Sequence, residues 1–315
     1  MPGKERVSEE ERPRILVFGF SDVGYRCLEY LIGRGEKVVG CYTYSDAAGP
    51  GGWPPSLVPL CAAHGVPAWT DVRWSAEEIF HARTLAPELI FSFYYRDLLP
   101  PEVLALPRLG AFNMHGALLP KYRGRAPVNW AVLEGEKETG ATLHQMVEKA
   151  DAGPIVDQER VAIGPDDTAF DVQQRVTEAA VKILDRQLDA LERGAAPRRP
   201  QDLEDGFYRG RRRPEDGLID WNRPAARVHD LVRAVTHPYP GAYTDVFGDR
   251  TFVWKTSLPG LSVHDGFPGQ VQIEGNRLLV CCGDDRYIEI LVLQPEGKAE
   301  MTAAQWAART RQENR

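Results

Sequence analysis

The chain has 315 residues, which is enough for one large domain or two smaller ones with a well-developed core. Hydrophobic residues make up 43% of it and charged residues 26%, proportions that are typical of a soluble globular protein rather than a disordered or fibrous one. The net charge is −7, which excludes a global positive field for nucleic acid, and no apolar run approaches the roughly 20 residues that a membrane span needs.

The cysteines and the N-terminus both indicate a cytoplasmic protein. Five cysteines, an odd number, lack the spacing of metal ligands: Cys27, Cys41, Cys61, Cys281 and Cys282. We expect them to be reduced, mostly buried thiols. Residues 1–12 are rich in charge and lack the apolar stretch of a signal peptide, so they are predicted to form a disordered tail.

Short apolar runs alternate with helix-like segments in the first part of the chain. Ile15–Phe18 predicts a buried strand that leads through a glycine turn into a helix over 25–33. The turn does not match the dinucleotide fingerprint, so NAD is not expected. Further strands are predicted at 37–43 and 89–95, and a loop rich in Gly and Pro at 46–55. The alternation predicts a parallel α/β sheet, in which ligands bind at the carboxyl ends of strands.

A predicted strand over 110–115 carries Asn113 and His115, and it runs into a loop dense in Gly, Pro and cations. Because side chains alternate along a strand, Asn113 and His115 are expected on the same side. Asp151 lies at a tight turn between two later predicted strands. Taken alone, Asn-x-His is more often a polar surface turn, and Asp151 an Asx-turn carboxylate.

The remainder of the chain predicts a second, smaller domain. A long amphipathic helix is expected over 168–193 after good N-cap residues, and another helix over 221–235. Short alternating strands with Gly-rich turns between 243 and 293 predict an OB-like β-barrel, followed by a polar helix over 302–311. The predicted division is a tail at 1–12, a Rossmann-like domain at 13–204, an OB-like subdomain at 205–305 and a tail at 306–315.

Several motifs give the chain a family resemblance. They are Asn113-x-His115-Gly116, Leu118-Leu119-Pro120-x-x-Arg123-Gly124, Asp151-x-Gly153, Trp221-Asn222-Arg223-Pro224 and Pro238-x-Pro240-Gly241-Ala242-Tyr243. In these motifs the chain resembles the formyltetrahydrofolate-dependent formyltransferases, over most of residues 14–300. Phe91–Arg96, Leu118–Pro127 and Asn129-Trp130 are most similar to the branch that formylates UDP-4-amino-4-deoxy-L-arabinose in a bifunctional polymyxin-resistance protein, a step of lipid A modification.

The resemblance implies an enzyme that transfers a formyl group from N10-formyltetrahydrofolate to the amine of a nucleotide-linked amino sugar, without a metal. Asn113, His115 and Asp151 would be its catalytic residues. Asn113 would donate an amide N–H to the developing oxyanion, and His115 would do likewise or protonate the departing folate N10. Asp151 would orient the imidazole, or accept the ammonium proton directly or through water. No covalent enzyme intermediate is required.

The resemblance also implies binding residues. Folate would lie against two segments, the first Tyr95, Arg96, Asp97, Leu98 and Leu99, the second Val147, Glu148, Lys149, Ala150 and Asp151. Arg125 would assist near the amine, with a solvated loop cation as the alternative. Among the arginines of 209–213, Arg211 and Arg212 would lie near the nucleotide diphosphate, with a solvated linker as the alternative.

Other functions stay open at this point. The substrate could be another UDP- or dTDP-amino sugar. A methionyl-tRNA formyltransferase shares the two domains, but tRNA would need a basic surface, and this chain is acidic. A binding module without activity is disfavoured by the intact Asn113, His115 and Asp151. The bifunctional protein continues into a second enzyme domain whereas this chain ends at Arg315, which leaves a stand-alone enzyme, an excised domain or a relative with another substrate. The amine position, the base and the oligomeric state are also open.

Overall fold

The computed structural model describes residues 11–45, 53–262 and 266–313. Most of the predicted N-terminal tail, and most of the Gly- and Pro-rich loop predicted over 46–55, lie outside these described residues. The chain forms two compact units. The first comprises residues 1–127, 138–162 and 173–210, and the second residues 128–137, 163–172 and 211–315.

The helices and strands follow one another along the chain with short connections. The strands are β1 (Ile15–Gly19), β2 (Val38–Thr43), β3 (Ala68–Thr70), β4 (Leu89–Phe93), β5 (Ala111–His115), β6 (Arg123–Gly124), β7 (Glu138–Gln145), β8 (Ile155–Ala162), β9 (Tyr208–Arg209), β10 (Ala242–Thr244), β11 (Thr251–Ser257), β12 (Val271–Glu274), β13 (Arg277–Cys281), β14 (Tyr287–Pro295) and β15 (Met301–Thr302). The helices are α1 (Ser21–Gly33), α2 (Leu57–Ala63), α3 (Ala76–Thr84), α4 (Pro101–Leu104), α5 (Pro127–Leu133), α6 (Ala169–Glu192), α7 (Ala225–Val235) and α8 (Ala303–Glu313), with a 3₁₀ turn at Pro214–Gly217.

The first unit is built on one sheet with the strand order β3-β2-β1-β4-β5-β7-β8. The pairs among β3, β2, β1, β4 and β5 are parallel, which confirms the predicted Rossmann-like arrangement. The parallel prediction does not extend to the last two strands, because β7 is antiparallel to both β5 and β8. For the pair of β7 and β8, the physical reason is the short turn between them, which can join antiparallel strands but is too short for a parallel crossover.

The core of this unit explains why its central strands are almost wholly apolar. Every residue of β1 and of β4 is buried. Phe18 stacks on Tyr42 at 5.0 Å between ring centroids and meets the edge of Tyr95 at 5.4 Å. Since strands covered on both faces have no solvent side, they read as continuous apolar runs rather than alternating ones. This core fixes the strand ends that carry the polar residues described below.

The predicted long amphipathic helix is confirmed as α6, and its start has the expected capping chemistry. The Asp171 backbone N–H donates to Thr168 Oγ1 at 3.2 Å, and the Thr168 backbone N–H donates to Asp171 Oδ2 at 2.9 Å. The two bonds satisfy donors that the first turn of a helix would otherwise leave unpaired.

The second unit contains a separate antiparallel sheet, as the alternating runs near the C-terminus predict. Its strands pair in the order β10-β11-β14-β13-β12, with β15 on β14. Helix α7 starts at Ala225, four residues later than predicted, because Pro224 occupies the N-cap position with a ψ of 147°, outside the helical region. All five cysteines are buried and free, as expected from their spacing.

Candidate active site

The first unit brings Asn113, His115 and Asp151 together. Asn113 and His115 are two residues apart on β5, and both approach the same carboxylate oxygen. Asn113 Nδ2 lies 3.3 Å from Asp151 Oδ1, and His115 Nδ1 lies 3.6 Å from the same atom. Since alternate residues of a strand share a side, one carboxylate can reach both. His115 is only 5% exposed, so the cluster is shielded from bulk water.

The turn that presents Asp151 depends on a glycine. Asp151 has a left-handed backbone with a φ of 53°, which Asp tolerates better than most residues. A Cβ on Gly153 would lie 1.9 Å from the backbone oxygen of Gln145, so no larger residue fits there. The Gln201 side-chain amide donates to the carbonyls of Asp151, at 2.9 Å, and Gly153. The Asp-x-Gly spacing therefore reflects a turn that must pass close to β7.

A second glycine holds the carboxylate from the other side. The backbone N–H of Gly124 donates to Asp151 Oδ2 at 2.8 Å. Gly124 has a φ of 100°, and a Cβ there would lie 2.3 Å from the backbone oxygen of Arg209. Strand β6, which contains Gly124, pairs with β9, which contains Arg209. The Arg-Gly part of the motif thus provides a donor for Asp151 at a place where only glycine can sit.

The hydrogen bonds of His115 decide which of its nitrogens is available. His115 Nε2 lies 2.8 Å from the carbonyl oxygen of Tyr122. A carbonyl oxygen only accepts, so Nε2 must carry the proton, and this assignment follows from the partner. The nitrogen left for proton exchange is therefore Nδ1, which faces Asp151. Gly116 is needed next to it, because a Cβ there would lie 1.9 Å from the hydroxyl of Tyr94.

The environment of Asp151 keeps its carboxyl group ionised. Burial by itself would raise the pKa of Asp151, but the charge of His115, the hydrogen bond and charge of His144, and the N–H of Gly124 outweigh it. The resulting pKa lies well below the ordinary value for Asp. Asp151 is thus a buried anion that the backbone N–H of Gly124 stabilises, and that His115 and His144 stabilise further whenever their imidazoles are protonated.

Sequence reasoning missed His144, which completes this cluster. His144 lies on β7 directly opposite Asn113 on β5 and is 1% exposed. Its Nε2 is 3.1 Å from Asn113 Nδ2 and 3.4 Å from Asp151 Oδ1. The available signal was a histidine in a predicted strand, but nothing in the sequence stated which residue of β5 it would face. Gly124 and Gln201 were likewise outside the predicted set.

The two segments predicted to bind folate differ in how exposed they are. In the first, Tyr95 stacks on Tyr44 at 5.0 Å, and both Tyr95 and Leu99 are partly buried and pack against the core. Leu98, by contrast, is 72% exposed. In the second segment, Val147 is 41% exposed, and Glu148 and Lys149 are exposed as well. An exposed aliphatic side chain beside a polar cluster is typical of a surface that binds an apolar ligand.

Arg96 and Asp97 in the first segment are held by aromatic neighbours. The Arg96 guanidinium lies 3.8 Å from the ring centroid of Phe20, a cation–π contact. The Tyr44 hydroxyl donates to Asp97 Oδ2 at 2.8 Å and accepts from the backbone N–H of Arg96 at 2.9 Å. Arg125 is exposed, and its guanidinium donates to the Arg96 carbonyl at 2.9 Å. Arg125 is therefore a bonded surface residue that adjoins this segment.

The predicted arginines of the second unit behave differently from each other. Arg212 lines a cavity of about 680 Å³ and lies 4.9 Å from the ring of Trp130, whereas Arg211 is exposed and does not line it. Burial lowers the pKa of Arg212, although the charge of Asp216 opposes this. The wall also contains charged residues of both signs: Glu134, Glu136, Asp220, Arg223 and Arg227. Of the predicted pair, only Arg212 therefore faces a ligand-sized space.

Metal-binding clusters and membrane-spanning helices are both absent from the part of the chain that the structure describes. No group of three or more His, Cys, Asp or Glu side chains among residues 11–45, 53–262 and 266–313 could hold a metal ion. Within the same ranges, no helix combines the length and the apolar character that crossing a membrane requires.

Solved structures with a similar fold include chains of about twice this length and chains that are somewhat shorter. HypX from Aquifex aeolicus in complex with tetrahydrofolic acid matches with a TM-score of 0.65 and 20% identity, over 95% of this chain and 47% of that chain. This chain therefore spans about half the length of the HypX chains that it matches.

Two solved N-formyltransferases match over nearly their whole length. One, from Helicobacter canadensis in complex with folinic acid and dTDP-3-aminofucose, has a TM-score of 0.70 and 18% identity, over 90% of this chain and 99% of that chain. The other, a 4-N formyltransferase from Francisella tularensis, has a TM-score of 0.62 and 22% identity, over 76% of this chain and 96% of that chain. At these identities the likeness shows the fold.

Family models account for most of the chain. The model described as formyl transferase matches residues 55–188, and the model described as formyl transferase, C-terminal domain, matches residues 212–311. The first match contains Asn113, His115, His144 and Asp151, and the second contains Arg212 and the antiparallel sheet. With both its N-terminal and its C-terminal domain matched, the chain belongs to the formyl transferase family of enzymes.

Proposed function

We propose that this enzyme transfers the formyl group of N10-formyltetrahydrofolate to the amine of a nucleotide-linked amino sugar, and that the sugar is UDP-4-amino-4-deoxy-β-L-arabinose. The observation that carries the proposal is the buried cluster of Asn113, His115 and Asp151 in a chain of the formyl transferase family. The sugar class is supported by the similar fold of the Helicobacter canadensis N-formyltransferase, which was solved in complex with folinic acid and dTDP-3-aminofucose. The specific sugar is supported by the resemblance at residues 91–96, 118–127 and 129–130, and on that basis we propose a role in lipid A modification and polymyxin resistance.

The proposed reaction moves one proton from the amine to the folate. The lone pair of the neutral amine attacks the formyl carbon, a C–N bond forms, and an oxyanion develops on the formyl oxygen. The bond between that carbon and folate N10 then breaks, and N10 takes up a proton. Asp151 is ionised and faces His115 Nδ1 at 3.6 Å, so the pair is suited to accept the proton of the amine and return it to N10.

Asn113 has the chemistry to stabilise the oxyanion. Its amide N–H is a neutral donor in a site shielded from water, where such a bond is worth more than in solution. The Nδ2 group currently contacts Asp151 at 3.3 Å, beyond the usual range for an N–H···O bond. We propose that this hydrogen is the one that turns to the formyl oxygen. Leu98 and Val147 would cover the folate, and Arg125 would adjoin the amine.

The nucleotide is proposed to contact Arg212 in the cavity that it shares with Trp130. A guanidinium can pair with a diphosphate through two parallel N–H donors, and an indole offers a face for a base.

Arg212→Ala should raise the KM for the nucleotide sugar about tenfold with kcat unchanged, and Arg211→Ala should raise it less. Arg213→Ala, at an exposed neighbour outside the cavity, is the matched control. Equal effects of all three changes would contradict the proposal.

The decisive experiment is mass spectrometry of the products formed from N10-formyltetrahydrofolate and a panel of UDP- and dTDP-amino sugars, with methionine-charged initiator tRNA as a separate arm. The expected result is a mass gain of one formyl group on UDP-4-amino-4-deoxy-arabinose and little on the others. Formylation of the tRNA alone would overturn the proposal, and preference for another amino sugar would correct its specific part.

His115→Ala should abolish transfer while folate still binds, and full activity of that variant would overturn the mechanism.

A further inference from the structure

Asn113 can stabilise an oxyanion only if its side-chain amide is turned the right way. An amide presents N–H donors at one end and an acceptor oxygen at the other, and its terminal torsion rotates easily between the two. An oxyanion site needs the donor end. Something in the molecule must therefore prevent the half-turn that would present Oδ1 instead.

His144 has the hydrogen bonds to do this. Its Nδ1 lies 3.0 Å from the carbonyl oxygen of Gln145, so Nδ1 must carry a proton. In the neutral imidazole, Nε2 is then an acceptor, and it lies 3.1 Å from Asn113 Nδ2. The backbone carbonyl thus selects the tautomer, and the tautomer selects the end of the amide that faces it.

The second contact of the amide supports the same orientation but serves another purpose. Asp151 Oδ1 also attracts Nδ2, at 3.3 Å, and would repel Oδ1 after a half-turn. This contact must be weakened when the amide turns a hydrogen toward substrate, whereas the contact with His144 can stay in place. Among the residues that the structure describes, His144 is the partner that can hold Nδ2 throughout the reaction.

We propose that His144 is a positioning residue for formyl transfer: its Nε2 accepts one hydrogen of Asn113 Nδ2 and so keeps the other N–H directed at the formyl oxygen. The kinetic consequences of this proposal rest on the proposed function, whereas the hydrogen bond between His144 and Asn113 can be tested independently of it. The titratable group that faces His144 is Asp151, whose Oδ1 lies 3.4 Å from Nε2, and His115 Nδ1 approaches the same oxygen at 3.6 Å. Protonation of His144 would turn its Nε2 into a donor and remove the hold on Asn113.

Three substitutions separate positioning from packing. His144→Gln can place an amide oxygen near the position of Nε2 and keep the acceptor. His144→Asn can keep a donor toward Gln145 but does not reach Asn113, and His144→Phe keeps the volume without either bond. We expect kcat to fall about 100-fold in the Asn and Phe variants, as when an oxyanion donor is lost, with the KM for folate within about threefold, and to fall less than about fivefold in the Gln variant.

The test combines steady-state kinetics with nitrogen NMR of the full chain. Equal losses in the Gln and Asn variants, or an unchanged kcat in the Phe variant, would overturn the proposal. Long-range proton–nitrogen spectra of the unsubstituted protein near pH 8 should show His144 protonated at Nδ1 and bare at Nε2, and the opposite tautomer would overturn it too. If no amino sugar is formylated, the proposed function fails, and the NMR result still decides the role of His144.

Discussion

Two buried acidic clusters of the first unit have opposite electrostatics. Asp151 is surrounded by two imidazoles and a backbone N–H, and its pKa is lowered in spite of burial. Glu192, at the end of α6, is 7% exposed, and its pKa is raised to about 8 by burial and by the facing carboxyl of Glu36. Burial is common to both, so it does not decide the charge state.

The number of hydrogen-bond donors and cations around each carboxyl decides its charge state. Glu192 lies beside Glu36 and Asp189. Arg34 forms an ion pair with each of these two, at 3.0 Å to Glu36 and 2.6 Å to Asp189. Three carboxyls therefore compete for few cations, and one of them retains a proton. Asp151, in contrast, is one carboxyl with several donors. A shifted pKa alone would have marked both clusters as functional, whereas convergence of an amide, two imidazoles and a carboxylate on one point distinguishes the active site.

The largest expected effect comes from neutralising the anion of the first cluster. Asp151→Asn should lower kcat by about 10³-fold, because the group that accepts a proton and orients His115 is lost. The measurement is single-turnover formyl transfer with a saturating nucleotide amino sugar. Asp157→Asn is the control, since Asp157 on β8 pairs with the half-exposed Arg186 of α6 and its loss should leave kcat unchanged. Equal losses in the two variants would show that Asp151 has no special role.

An intermediate loss of activity is expected when the Gly124 N–H, which donates to the Asp151 carboxylate, is displaced. Gly124→Ala would place a Cβ 2.3 Å from the Arg209 carbonyl at a positive φ, so the Gly124 N–H must shift away from the carboxylate. We expect kcat to fall about 100-fold, comparable to the loss of one aligned donor. Gly210→Ala is the matched control, because its Cβ would meet nothing within 4 Å. Retention of full activity by Gly124→Ala would separate Asp151 from this donor.

The second cluster should affect stability rather than activity, and by less. The pKa of Glu192 rises from 4.5 in its ordinary state to about 8 in the folded protein. Between these pH values the folded state binds more protons than the unfolded state. The protonated carboxyl therefore contributes its full stability below pH 4.5, and this contribution is lost as the pH rises through 8. Glu192→Gln carries no charge to lose and should be more stable than the unsubstituted chain at pH 9 by about 2 kcal/mol.

Melting temperatures at pH 6 and pH 9 test this difference. The unsubstituted chain should lose stability between the two, and the Gln variant should lose much less, a shift of about 4–8 °C at pH 9 for a unit of this size. Glu29→Gln is the control, since Glu29 forms an exposed pair with Arg26 and should change stability by less than about 0.5 kcal/mol. A Gln variant with the same pH dependence as the parent chain would contradict the shared-proton account of this cluster.

The sequence by itself determined the parts that depend on local pattern. Continuous apolar runs specify the buried strands β1 and β4, and the Asn-x-His spacing specifies two side chains on one side of β5. The Asp-x-Gly turn is indicated by its own composition, because Asp and Gly both favour tight turns. These features are short in range, so the residues that cause them are neighbours in the chain.

Only the tertiary structure decided which residues meet across longer distances. The register of β5 on β7 places His144 opposite Asn113, and the antiparallel direction of β7 was not visible in its apolar pattern. Gly124 reaches Asp151 across 27 positions, and packing against Trp130 separates Arg212 from its exposed neighbour Arg211. Strand register and side-chain packing are set by hydrogen bonds and contacts between distant segments, which periodicity along one segment does not encode.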